Sequence, residues 1–167
     1  MKSTVKKIVI ASMFASLTCV ATMIRVPLPL AGYVNLGDCI VLLSGWLLPA
    51  PYGFLAAGIG SALADIFAGY VTYAPVTLVI KGLMALIAFY GVKILAKVRS
   101  NTFKRVLCGL VAEIVMVAGY YVFEGFMYGF VPSLASVPFN ALQGAVGLLL
   151  GVLLVKVFDR VKIFHLG

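Results

Sequence analysis

YVNLGD, residues 33–38, sets Asn35, Gly37 and Asp38 between two strongly apolar stretches, and GIGSALAD, residues 58–65, is a run of small residues that ends in another acid. An amide and two carboxylates in such surroundings are costly unless they have partners or a task. The reading of both strings depends on what the rest of the chain is dissolved in.

Composition answers that. Of 167 residues, 63% are hydrophobic and 11% charged, and the mean hydropathy is +1.16. A water-soluble domain of this size would expose apolar patches far beyond what water tolerates. The chain is therefore expected to be an all-α integral membrane protein. Each span needs about 20 apolar residues, so the length admits five or six spans and no separate soluble domain. A cleaved signal peptide is not expected, because the first apolar run, 8–24, is long enough to span and lacks a clear small-residue cleavage site. Cys19, Cys39 and Cys108 stand singly in apolar runs with no CxxC or Cys/His ligand spacing, which reads as burial.

Six helices are expected in one membrane domain, 1–167, at about 4–24, 39–48, 52–70, 76–95, 106–130 and 138–157. Pro27 and Pro29 exclude helix after Arg25, so 25–38 reads as a long first outer loop. The second run stops at Pro49 and Pro51 and barely crosses a bilayer, so it is tilted or begins with a broken turn. A basic connection, 97–105, precedes the fifth helix. Pro132 and Pro138 bracket a short loop or helix entry before the last.

Charge orients these spans. Of thirteen Lys and Arg residues, all but Arg25 and Lys81 fall on the side that holds both termini, among them Lys97, Arg99, Lys104, Arg105 and Lys162. By the positive-inside rule both termini are cytoplasmic and the number of spans is even. The net charge of +8 then needs no nucleic acid, because the basic residues cap helices instead of interleaving with aromatics on a soluble face.

Lys81 lies inside the fourth expected helix, where an unpaired ammonium costs roughly 2.5 to 3.5 kcal/mol. Asp65, on the preceding antiparallel helix, falls at nearly the same depth, roughly 7 to 9 Å below the outer edge. The two read as partners. Glu124 reaches the same level from the fifth helix. Glu113, eleven residues earlier, shares its face about 16 Å deeper. Asn140 and Gln143, three apart, are neighbours on the last helix. Tyr70, Tyr73, Tyr120, Tyr121 and Tyr128 gather near this level.

The simplest reading is a pocket under the outer surface that mixes charge with aromatic faces able to stack on a flat heteroaromatic ring. Its expected substrate-binding residues are Asn35, Asp38, Asp65, Tyr73, Lys81, Tyr120, Glu124, Asn140 and Gln143. Other readings stand beside this one. Asp65 and Lys81 also fit a purely structural ion pair, the tyrosines an interfacial belt, and Asp38 an N-cap of the second helix, alone or together with ligand contact. The Pro- and Gly-bearing loop above suits a shaped, movable lid.

Small residues four apart, Ala11 and Ala15 on the first helix, Gly53, Ala57 and Ser61 on the third, and Gly147 and Gly151 on the last, permit close helix approach, mostly within the chain.

YVNLGD, GIGSALAD with Gly69 and Tyr70 after it, APVTLVIKG at 74–82 and the AxxxA of the first helix together resemble the substrate-binding S components of energy-coupling factor (ECF) vitamin transporters. The resemblance spans almost the whole chain. It implies a multi-pass subunit in a bacterial plasma membrane that captures a scarce vitamin outside. It also implies delivery by toppling, once docked on a transmembrane coupling subunit driven by two cytoplasmic ATPases, with Ala11 and Ala15 at that interface. The subgroup has links to riboflavin by broad naming and to pyridoxine or hydroxymethylpyrimidine by closer likeness. A small ring with hydroxyl and amine or ring-nitrogen groups suits Asp65, Glu124, Lys81 and Asn140, whereas riboflavin needs more room.

No cofactor or metal is expected, and the absence of GxxxxGK[ST] leaves ATP hydrolysis to a partner. An enzyme finds no support, since the single histidine, His165, lies in the C-terminal tail and no GxSxG or paired Asp/His motif occurs. A stand-alone facilitator or ion-coupled transporter is the rival. Against it, no inverted repeat is visible, and polar groups cluster in the outer half without continuing inward except at Glu113.

Overall fold

The computed structural model describes residues 2–27 and 33–161; Pro29, Lys162 and His165 fall outside the described residues. Among the described residues, seven α-helices follow in order. They are α1 (Lys2–Met23), α2 (Gly37–Leu47), α3 (Ala50–Phe67), α4 (Ala74–Ile94), α5 (Asn101–Tyr128), the short α6 (Phe130–Ser133) and α7 (Val137–Val161). Between α1 and α2, β1 (Arg25–Pro27) pairs antiparallel with β2 (Tyr33–Asn35), placing Arg25 opposite Asn35. The stretch expected as loop is thus in part a two-stranded ladder, because extended chain on either side of 28–32 can satisfy its own backbone groups.

All six expected helices are present, but their ends differ in ways the local chemistry explains. Ser100 caps α5, its side chain accepting from the Phe103 amide at 3.3 Å, so the helix starts at Asn101 and takes in much of what reads as a basic connection. Pro51 lies in the first turn of α3, where a missing N–H costs nothing. The same helix ends at Phe67 and not at Tyr70. Gly69, at φ +84°, lets the Tyr70 amide bond back to the Asp65 carbonyl at 2.8 Å and its own amide to Ile66 at 3.1 Å.

Five helices are long and apolar enough to cross a membrane, with 130–160 counted as one; α2 is not among them. Its 11 residues measure about 16 Å, roughly half a bilayer core. α2 is thus the short second helix that the sequence marks as barely crossing a bilayer. It is also the hub, packed against α1, α3, α4 and α7. Val41, Leu42 and Leu43 are wholly or almost wholly buried. One apolar cluster joins α2 to α3, α4 and α5 through Met84, Ala112 and Met116, and another joins it to α1, α3 and α7 through Phe14, Leu48 and Val155. Large apolar side chains on the outward faces, such as Val9, Met13 and Leu17 of α1, remain exposed, as lipid contact allows.

Lipid gives helices no hydrophobic reason to associate, so closeness of approach decides the packing. Small residues supply it. A Cβ on Gly60 would lie 2.3 Å from the Ala15 carbonyl oxygen, and one on Gly53 would lie 2.8 Å from that of Ser44. Ala57 and Ser61 are wholly buried. The three cysteines are free and buried.

Replacing Gly60 by leucine should force α1 and α3 apart and destabilise the protein by about 1 to 3 kcal/mol. Thermal unfolding in detergent measures this, with the exposed Ser12→Ala as a neutral reference.

Candidate ligand site

The C-terminal ends of α1, α3 and α5 and the N-terminal ends of α2, α4 and α7 meet at one end of the bundle, under the β1–β2 ladder. There they enclose a cavity of about 320 Å³. Every expected site residue except Asp38 lines it.

Asp38 lies behind the wall, wholly buried in the first turn of α2. It is not the cap: Leu36 occupies that position, and the Gly37 amide donates instead to Asn35 Oδ1 at 2.9 Å. Lys81 Nζ donates to Asp38 Oδ1, and this buried ion pair replaces the expected pairing of Lys81 with Asp65. The reason is tertiary. α2 packs against both α4 and α7, which brings its first turn to the depth of Lys81.

The other Asp38 oxygen accepts from Gln143 Nε2 at 2.8 Å, while Gln143 Oε1 accepts from Asn35 Nδ2 at 2.8 Å. Gln143 therefore uses both ends of its amide. Lys81, Asp38, Gln143, Asn35 and Gly37 form one continuous chain of hydrogen bonds linking α4, α2, α7 and β2. Gly147 makes room for it, since a Cβ there would lie 2.6 Å from that of Asp38.

Aromatic groups form much of the remaining wall. The Lys81 ammonium stands 5.5 Å from the centroid of the Tyr120 ring, and Tyr120 donates its hydroxyl proton to Thr77 Oγ1 at 3.1 Å. Tyr73 packs edge-on against Tyr70 and Phe123, with centroids at 6.2 and 5.1 Å. Burial pushes the Tyr73 phenol above its ordinary range, and hydrogen bonding to Tyr128 and the charge of Glu124 add to this, so it remains a donor. Arg25 lies 5.2 Å from the Tyr70 centroid and fastens the ladder to the turn after α3. Glu124 accepts from the Ser136 hydroxyl.

Two polar atoms of residues that line the cavity stay unused. Among the described residues, Asp65 Oδ2 and Ser61 Oγ are buried with no hydrogen-bond partner, and both residues face the cavity from one side of α3. Asn140 lines the wall beside Phe139. Of the other expected contributors, Tyr121 packs on Phe130 at 5.8 Å and Tyr128 is exposed; neither lines the cavity. Glu113 is buried against Gly144, short of the cavity, with neither carboxyl oxygen bonded among the described residues.

Sequence reading missed Thr22, Ser61, Thr77, Ser136 and Phe139 in the wall. Ser61 and Thr77 carried a usable signal. Each precedes an acknowledged site residue by four, Asp65 and Lys81 respectively, and so shares its helix face. Ser136 and Phe139 carried none, because one lies in a connection and the other resembles any core aromatic.

Ala11 and Ala15 are half-buried, packed toward the α1–α2–α3–α7 cluster, and beside them on α1 Ser12 and Ser16 are exposed.

Known proteins share this architecture. The solved structure of the S component of a bacterial ECF transporter superposes with a TM-score of 0.77 at 20% identity, covering 95% of this chain and 98% of that one. A Pyrococcus woesei protein, described only as an uncharacterized protein in the gap 3′ region, is 34% identical over 138 residues, 81% of this chain and 89% of its own length. The family model for "ECF-type riboflavin transporter, S component" matches residues 2–160. With apolar helices for a multi-pass membrane protein and a model match over nearly its whole length, this chain belongs to the S component family of ECF-type transporters.

Proposed function

We propose that the cavity captures a small heteroaromatic vitamin or precursor of the pyridoxine or hydroxymethylpyrimidine class at the outer face, for ATP-driven uptake by partner subunits. The unused Asp65 Oδ2 and Ser61 Oγ carry this reading. Buried polar atoms in folded proteins nearly always find partners, so a carboxylate oxygen and a hydroxyl left open toward one cavity reserve their bonds for a ligand. The charge balance agrees. Asp38 neutralises Lys81 from behind, which leaves Asp65 and Glu124 to give the cavity a net demand for donors such as an amino group, a hydroxyl or a protonated ring nitrogen. Tyr73 and Tyr120 offer ring faces, and Asn140 a mixed donor and acceptor.

A cavity of about 320 Å³ lies near the lower end of the range for small-molecule sites, roughly 300 to 1,000 Å³, which supports a single-ring ligand. Riboflavin is the second reading. The description of the matching family model favours it.

In this proposal the outer face is the end bearing the ladder, both termini are cytoplasmic, and the chain docks on a transmembrane coupling subunit served by two cytoplasmic ATPases. The docking face is the edge of α1 where Ala11 and Ala15 border the exposed Ser12 and Ser16.

Calorimetric titration of the purified protein in detergent with pyridoxine, hydroxymethylpyrimidine, thiamine and riboflavin should give tight one-to-one binding of a one-ring compound. Binding of riboflavin alone would transfer the assignment to the second reading. Asp65→Asn should weaken binding by roughly 10- to 150-fold, the value of a charge-assisted hydrogen bond. Lys81→Met should lower both affinity and stability, the latter by about 3 to 5 kcal/mol, because Asp38 is left buried and unpaired. The double variant Asp38→Leu with Lys81→Met should regain stability but not affinity, and full affinity there would reduce Lys81 to a structural part. Ser16→Phe should leave ligand binding intact and reduce co-purification with the coupling subunit; an undiminished complex would move the docking face elsewhere.

A further inference from the structure

At the end of the bundle opposite the cavity, α4 and α5 frame a second concavity, a groove of about 410 Å³ whose lining is almost wholly apolar. Its floor exists because Gly91 has no side chain: a Cβ there would lie 2.7 Å from Cys108 Sγ, so the two helices nearly touch. Ile87, Tyr90 and Ile94 rise on one side and Leu107 and Val111 on the other. Several of these are widely exposed, Ile94 to 80% of its surface.

A lysine lies three positions after Ile94 and another three positions before Leu107. Ile94 ends α4 and leads into the 3₁₀ turn Leu95–Lys97, whose last residue is Lys97. On α5, Lys104 precedes Leu107, Cys108 and Val111 by three, four and seven positions, which is one helical stripe. Arg99 lies in the connection between them.

Among the described residues, most of the charge at this rim has no acidic partner. The chain has five acids, and four of them, Asp38, Asp65, Glu113 and Glu124, belong to the cavity or its surroundings. The fifth, Asp159, is held by Arg105 through bonds of 2.5 and 3.0 Å. Among the described residues, Lys97, Arg99 and Lys104 form no ion pair. A carbon-lined groove whose walls adjoin, along the chain, three cations of the α4–α5 connection and the start of α5 matches a long acyl chain carrying an anionic head group.

The geometry points to this groove as a binding site for one anionic phospholipid of the leaflet at the basic end. An acyl chain lies between α4 and α5, and the phosphate is met by Lys97, Arg99 and Lys104. The site is independent of the vitamin cavity and of any assignment made to it.

The test uses the full chain in nanodiscs of phosphatidylcholine containing a minor fraction of phosphatidylglycerol. Native mass spectrometry should find one phosphatidylglycerol retained in preference to phosphatidylcholine. The double variant Lys97→Gln with Lys104→Gln should cut that preference by roughly 30-fold, given the attraction expected of two lysines near an anionic surface. Val111→Trp, which fills the groove and keeps every charge, should abolish retention while its helical circular dichroism and monodisperse elution stay those of the parent. Phosphatidylglycerol bearing a photoreactive acyl tail should label peptides of α4 and α5 around Ile94 and Leu107. Equal retention of both lipids, or labelling spread evenly over the outward helix faces, would overturn the proposal. So would capture of the coupling subunit in place of lipid by a crosslinker at Ile94→Cys in the assembled transporter, which would make the groove a protein interface.

Discussion

The buried pair of Asp38 and Lys81 is the constraint on which this structure turns. A lone ammonium on α4 or a lone carboxylate on α2 would be strongly unfavourable in a bilayer, so neither helix can occupy its place without the other. The pair therefore sets the register of α2 against α4. Through Gln143 and Asn35 the same carboxylate sets α7 and the β1–β2 ladder. A helix of 11 residues, too short to be positioned by the membrane itself, is held at a defined depth by its charge.

That arrangement also divides labour within the cavity. Groups already satisfied by the protein, Asp38 foremost, keep the wall rigid, and groups with spare capacity, Asp65 and Ser61, face the space. A site preorganised in this way loses little freedom on binding, because its polar side chains are ordered beforehand. The ladder above is tied to the site by Asn35 and to the turn after α3 by Arg25 stacked on Tyr70, so the roof and the floor share one hydrogen-bonded frame.

The two ends of the bundle differ as sharply in chemistry as in position. Four of the five acids lie in or near the cavity, whereas most of the cations crowd the opposite rim. Such separation gives the two ends of the bundle opposite electrostatic character, acid-bearing at the cavity and cationic at the other rim.

The sequence by itself determined the class, the helices and most of the cavity wall. Hydropathy over some 20 residues and charges confined to helix ends are local properties, legible without a partner in view. Depth along antiparallel helices was likewise enough to bring Asp65, Lys81, Glu124 and Asn140 to one level. Helix ends were partly hidden, since Ser100 as a cap and Gly69 as a stop act through single bonds that hydropathy does not register. Only the tertiary structure decided which charge meets which. Lys81 chose Asp38, 43 residues away, over Asp65 because α2 is wedged between α4 and α7, a consequence of close packing at residues such as Gly147. Depth fixes one coordinate of a side chain; its partner is fixed by the other two, and those come from how whole helices lie against one another.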